Sequence, residues 1–530
     1  MDKRLISVFT VFCMIIGCLC LRLYTLGSGN KELVSSDSHY SSFSLYNIRG
    51  NILDCKGRKI TGSDYDNYII SKPSIESLAI IKNIADSKTY SQIREKMQSG
   101  SPIMYNIKKN IQNSNKNMIC VPVFKRYSMK QPAQHIIGYL DENKHGVSGI
   151  EKAYDNILYS DGYTKVRVPI DAYGRTIAGS EIQIEADTVK VGSLKLTIDL
   201  DIQNIVEHAI DECNIKEGCA IVLDINTGAI RAIASRPVYD TDRLSDSLNS
   251  KSSPFLDRSL SEFAVGSIFK VAVAAAAIEN GYEDYIYECK GVCNIGGVNF
   301  SCSSNKSHGK INMQKALEVS CNTYFINLGH KVGADLINEE ASILGFGQSV
   351  NLCHNISTAS GTIPTDEDLK NPAALANYSF GQGKFTATPF QIAQMISAVA
   401  NNGKYYKPYI VDSITDKTNI KSEYMNKYPI YAMKEETAQK LTKMMISVVN
   451  NGNASQAKPE KFDAAGKTAT AQTGIFDSNG NEICNTWFGG FFPADKPAYV
   501  AVIMKQKGIS GSSDCAPAFK KIADGIGLIK

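Results

Sequence analysis

The sequence is short of several things that would otherwise direct its reading. Basic residues number 57 and acidic residues 53, a formal net charge of +4. No block of like charge stands out, so neither nucleic acid nor a strongly acidic partner is implied. No repeat or low-complexity tract appears, which removes solenoids and disordered or fibrous chains. Tryptophan occurs once, as Trp487, and reads as a core residue of a strand. The 26 tyrosines are scattered and are assigned to ordinary packing. The framework of a small disulfide-rich domain is also missing.

What is present is a chain of 530 residues, 43% hydrophobic, long enough for two or three domains with cores of their own. After Lys3 and Arg4, the run from Leu5 to Leu21 carries no charge, and Arg22 can snorkel to extend it. No A-x-A-like cleavage site follows, so residues 1–26 are expected to form an uncleaved anchor with the basic end in the cytoplasm. A second reading takes "IIGC" as a lipoprotein site acylated on Cys18. Either one tethers the bulk of the chain to the outer face of a membrane. Residues 27–42 form a polar stalk.

Residues 44–195 mix short strand-like pieces, such as "KVRVPID", with helical stretches such as 74–97. From 196 the elements become longer and more apolar. A hairpin turns at Asn226-Thr227-Gly228. Helices are expected at 267–279 and at 389–401, the latter opening on Thr388-Pro389, and three strands close the chain. Strands, a helical centre and strands again predict an α+β domain with helices packed on one antiparallel sheet.

Ser267 and Lys270 stand three apart at the mouth of "VAVAAAA". On a helix they share a face, and desolvation favours a neutral amine able to act as a base toward the hydroxyl. A capping serine with a snorkelling lysine accounts for the pair just as well. The same spacing recurs at Ser28/Lys31, Ser303/Lys306 and Ser455/Lys458.

Two further segments decide the matter. "SCN" holds Ser320 and Asn322, and "KTAT" holds Lys467, Thr468, Ala469 and Thr470. SIFK, SCN and KTAT, in this order, resemble the S-x-x-K, S-x-N and K-T-G set of penicillin-binding proteins and serine β-lactamases. "RGNILDCKG", "GVSGIEKAYDNIL", "TIDLDIQ", "SFGQGKFTATPFQIA" and "TWFGGFFPA" look like landmarks of the class B penicillin-binding proteins. This resemblance implies a membrane anchor (1–26), an elongated, mostly β pedestal (27–195) and a transpeptidase domain (196–530).

It further implies Ser267 as nucleophile, Lys270 as base, Ser320 and Lys467 as proton relay, and Asn322 as a positioning group. Thr468 and Thr470 would bind the substrate carboxylate, and the N–H groups of Ser267 and Thr470 would form an oxyanion hole. Stem peptides and β-lactams would be the ligands, with no cofactor needed for the chemistry and a polytopic membrane glycosyltransferase as partner. Ala469, where the family has glycine, is a departure that would tighten the cleft or shift the strand. A β-lactamase would be about half this length; a D,D-carboxypeptidase or a catalytically weak scaffold are the other readings.

Cys289, Cys293, Cys302 and His308 follow a C-x3-C-x8-C-x5-H spacing. Three thiolates and one imidazole suit a tetrahedral structural zinc; a disulfide with a structural His-Gly is the alternative.

Overall fold

The structure, a computed structural model, describes residues 3–28, 40–107, 115–241, 243–424 and 428–529. Residues 29–39 of the expected stalk lie outside the described residues. The chain forms two compact units.

The larger unit comprises residues 47–64, 125–162 and 188–530. Its centre is a five-stranded antiparallel sheet built from β1 (Gly218–Asp224), β2 (Ile230–Arg236), β3 (Ala465–Phe476), β4 (Glu482–Phe492) and β5 (Tyr499–Gly508), in the order β2-β1-β5-β4-β3. Successive residues along β1 and most of β4 are buried on both faces, which requires cover on each side. Phe488 packs against Phe519 of the helix Ala516–Leu528, with ring centroids 4.5 Å apart. The next residue, Gly489, turns to the other face, where Ile268, Ile392 and Ile396 press on it. A Cβ at 489 would lie 2.7 Å from Ile268 Cδ1 and 3.2 Å from Ile392 Cγ2, so the glycine lets the helical layer come this close without those side chains having to shift.

That layer is centred on the helix Lys270–Glu279, buried at every position through Ile278. A helix apolar on all sides belongs inside a domain. Pro389–Ala400 packs on β4 and β5, with Ile392 and Ile396 at Gly489, and is opened by a capping box between Thr388 and Gln391 with proline in the first turn.

Residues 47–64 and 125–162, expected in a pedestal running from 27 to 195, belong instead to this larger unit. Charge pairing joins the two segments to each other and, through Arg58, to residues 199 and 201 of the same unit. Glu151 is fully buried and receives Arg49 at 2.8 Å and Arg126 at 2.6 Å, while Arg49 also meets Asp155 at 2.7 Å. Arg58 likewise joins Asp54 to Asp199 and Asp201.

The smaller unit comprises residues 1–46, 65–124 and 163–187. Its strand Tyr65–Ser71 lies between Ile103–Ile107 and Met118–Phe124, both antiparallel to it. The helical stretch expected at 74–97 is two helices, Ile75–Lys82 and Ser87–Gln98, because Asp86 caps a new start by accepting from Thr89 N–H. Ile69, Ile81, Ile93 and Met97 form part of their shared core. At the N-terminus lies the helix Lys3–Ser28, with Phe9, Phe12 and Leu21 more than half exposed. Among the described residues no helix is long and apolar enough to cross a membrane; the side chains described on this one run only from 9 to 22.

Candidate active site

Ser267 does not begin an α-helix as its spacing predicts. It lies in a 3₁₀ turn, Gly266–Phe269, that feeds into Lys270–Glu279. The change matters little for reach, since residues i and i+3 eclipse one another in a 3₁₀ turn. Gly266 takes φ +69°, and a Cβ there would stand 2.9 Å from the carbonyl oxygen of Thr470. The glycine therefore lets the Ser267 turn rest against the strand that carries Lys467 and Thr470.

Lys270 is fully buried. Its Nζ donates to Asn322 Oδ1 at 2.7 Å and to Ser320 O at 2.9 Å, and lies 3.3 Å from Ser320 Oγ. Lys467, equally buried, donates from Nζ to the same Ser320 Oγ at 3.0 Å and to its neighbour's carbonyl, Thr468 O, at 3.0 Å. Among the described residues neither amine has a carboxylate partner, and Ser267 Oγ makes no hydrogen bond. Loss of water, only partly offset by the Cys321 and Cys302 thiol groups nearby, draws Lys270 down to about 7. Burial, with Lys270 as a like neighbour, pushes Lys467 well below the usual lysine range. The spacing look-alikes differ on this point: Ser303, Lys306, Ser455 and Lys458 are all exposed, and Lys31 lies outside the described residues.

Ser320 itself sits at φ +53°, in the left-handed region that an L-residue with a Cβ occupies at a cost of about 1–2 kcal/mol. The strain reverses the chain between the helix Met313–Glu318 and the helix Asn322–Val332. That turn presents both the Ser320 hydroxyl and the Asn322 amide to Lys270. Thr468 and Thr470 project from the opposite face of β3 to Lys467 by the alternation of a strand. Thr468 Oγ1 donates to Asn453 Oδ1 at 3.2 Å, and Thr470 Oγ1 accepts from Gly511 N–H at 3.3 Å. Ala469 is only 3% exposed and in register with Trp487, whose Nε1 donates to Ala264 O. Its methyl belongs to the core rather than to the open cleft.

The cysteine and histidine cluster departs from its expected membership. Cys289, Cys302, His308 and Cys321 have ligand atoms all within 4.8 Å of one another. Cys321 takes the place expected for Cys293. The reason is local. Cys293 lies on the hairpin strand opposite Phe300 and packs with Phe300, Ile326 and Ala376, whereas Cys321 caps the Asn322 helix and is fully buried. The signal was present inside S-C-N, but no spacing rule joins residue 321 to 302.

Cys289 Sγ lies 3.8 Å from Cys302 Sγ and 3.3 Å from His308 Nδ1, and Cys302 Sγ lies 3.6 Å from Cys321 Sγ. Donors about 2.0–2.3 Å from one tetrahedral zinc would be separated by about 3.3–3.8 Å, so this set fits the ion. A disulfide needs sulfurs about 2 Å apart, and all of these cysteines are free.

Comparison with known proteins agrees with this chemistry. A profile described as the penicillin binding protein transpeptidase domain matches residues 218–524. The chain is 28% identical over 493 residues to stage V sporulation protein D of Bacillus subtilis, covering 86% of this chain and 73% of that protein. It is 24% identical over 608 residues to the peptidoglycan D,D-transpeptidase MrdA of Haemophilus influenzae, covering 98% and 91%. Penicillin binding protein 3 of Mycobacterium tuberculosis, solved in complex with aztreonam, shares the fold with a TM-score of 0.66 at 21% identity, over 92% of this chain and 97% of that one.

Proposed function

Since the chain belongs to the penicillin-binding protein transpeptidase family, we propose that it is a serine D,D-transpeptidase that cross-links peptidoglycan stem peptides through an acyl-enzyme on Ser267. The observation that carries this reading is the convergence of two buried lysine amines, neither with a carboxylate partner among the described residues, on the one hydroxyl of Ser320.

With Lys270 neutral, its two hydrogens serve Asn322 Oδ1 and Ser320 O, and the lone pair is available to the Ser267 hydroxyl. Ser267 Oγ attacks the carbonyl between two terminal D-alanines while Lys270 Nζ takes its proton. The new O–C bond forms a tetrahedral oxyanion facing the N–H groups of Ser267 and Thr470, a contribution of about 3 kcal/mol per donor. As the C–N bond breaks, Ser320 Oγ passes its proton to the leaving amine and is refilled from Lys270. Lys467 orients that hydroxyl. An amine of a second stem then displaces Ser267 by the reverse sequence, and the ester becomes the cross-link. A β-lactam acylates the same oxygen. Asn322 fixes Lys270, and Thr468 and Thr470 receive the terminal carboxylate.

Labelling with a fluorescent penicillin tests this reading. The parent and Ser303→Ala should take the label and Ser267→Ala should not; an unlabelled parent, or a labelled Ser267→Ala, would sink it.

The Cys289, Cys302, His308 and Cys321 set holds a structural zinc that pins the loop leading into Ser320. Metal analysis should find one zinc per chain, lost in Cys321→Ser and kept in Cys293→Ser. Zinc-free protein with normal penicillin binding would remove it. Residues 1–26 anchor the chain in a membrane with the larger unit outside, a reading supported by the uncharged run from Leu5 to Leu21. Glycan polymerisation falls to a separate polytopic membrane glycosyltransferase, the partner that the resemblance to class B penicillin-binding proteins implies.

A further inference from the structure

The helix Glu435–Asn451 stops at Gly452 because that residue runs against the turn before Ser320: a Cβ there would lie 2.7 Å from the carbonyl oxygens of both Glu318 and Val448. Asn453 follows immediately and is held by three different elements. Its N–H donates to Glu318 O at 3.1 Å, its carbonyl accepts the Ser512 hydroxyl, and its Oδ1 accepts the Thr468 hydroxyl at 3.2 Å. The side chain is nonetheless exposed, and among the described residues its Nδ2 donates to nothing. A backbone fixed from three sides thus presents an unused amide donor beside Thr468.

Charge makes that donor useful. The C-terminal end of a helix carries partial negative charge, and Glu435–Asn451 ends here, so a carboxylate arriving at Thr468 and Thr470 meets an unfavourable field. A neutral donor interposed between the two offsets it. Thr468 alone offers a single proton, which Asn453 Oδ1 already takes; once the substrate is present, Thr468 turns that proton to it.

We propose that Asn453 is a specificity-determining residue for the terminal carboxylate of the substrate, its Nδ2 donating to the anion alongside the hydroxyls of Thr468 and Thr470. This assignment rests on the acyl-transfer reading given above. It makes preference for a free carboxylate depend on a residue outside the three motifs.

The test compares acylation rates for benzylpenicillin, which bears a carboxylate, and for its methyl ester, which does not. Acyl-enzyme is followed by intact-protein mass spectrometry on wild type, Asn453→Ala and Asn453→Asp, with thermal melting to establish that each is folded. A hydrogen bond to a charged group is worth about 1.5–3 kcal/mol, so Asn453→Ala should lower the acid-to-ester rate ratio about tenfold or more with the ester rate little changed. Asn453→Asp should lower it further. Equal slowing of acid and ester would mean that Asn453 merely braces the Thr468 strand, and an unchanged ratio would mean no role; either overturns the proposal. A wild type that neither penicillin acylates would overturn the acyl-transfer reading itself, which separates the two failures.

Discussion

At the scale of single residues, the state of Lys270 sets the behaviour of the site. In the proposed mechanism its working form is the free amine, and burial brings its pKa to about 7. Lowering the pH through that value adds the proton that blocks the lone pair. The acylation rate by a β-lactam should therefore climb about tenfold per unit below pH 7 and level off above it. A flat profile from pH 5.5 to 8, measured by stopped-flow, would contradict the assignment. Ala469 makes a second residue-scale case. Because its methyl packs with Trp487 in the core, Ala469→Gly should cost about 1 kcal/mol of stability, from one lost methyl and a looser strand, while Ser267 still forms the acyl-enzyme. A lower melting temperature with labelling retained is the expected pair of results.

The family resemblance of three short motifs was enough to group Lys270, Ser320, Asn322 and Lys467, which the structure joins in one hydrogen-bond network although Lys270 and Lys467 stand 50 and 147 positions from Ser320. Cys321 and Asn453 were not legible. Their roles depend on the left-handed turn at Ser320 and on the close approach at Gly452, and neither leaves a pattern in a local window.

At the scale of elements, the helix Pro389–Ala400 was readable because its signals, Thr388 and Pro389, lie at its own first turn. The boundary near 195 was not. The contacts that set it are remote in sequence: Arg49 meets Glu151, 102 positions away in the other segment, and Arg58 reaches Asp201, 143 positions away. The same cluster invites a test. Removing the carboxylate in Glu151→Ala leaves Arg49 buried with only Asp155 as anionic partner among the described residues and takes from Arg126 its ion pair. The loss should be about 3–5 kcal/mol, read as an earlier midpoint in urea unfolding of the purified protein. A midpoint unchanged from wild type would show that the Glu151 ion pairs contribute nothing to holding these two segments together.

For the whole molecule, the N-terminal helix divides two behaviours. The full chain should sediment with membranes and require detergent for release, and a chain starting at residue 27 should not. Recovery of the full chain in detergent-free supernatant, or an N-terminus cut at Cys18 by mass spectrometry, would refute the uncleaved anchor. The sheet order carries a different consequence. Strand β5, close to the end of the chain, lies between β1 and β4. During synthesis the hairpin Gly218–Arg236 must wait, one edge bare, for some 260 further residues. A ribosome that stops just before Tyr499 releases a polypeptide containing every catalytic motif yet lacking the strand that joins them, a product for proteases rather than a weaker enzyme.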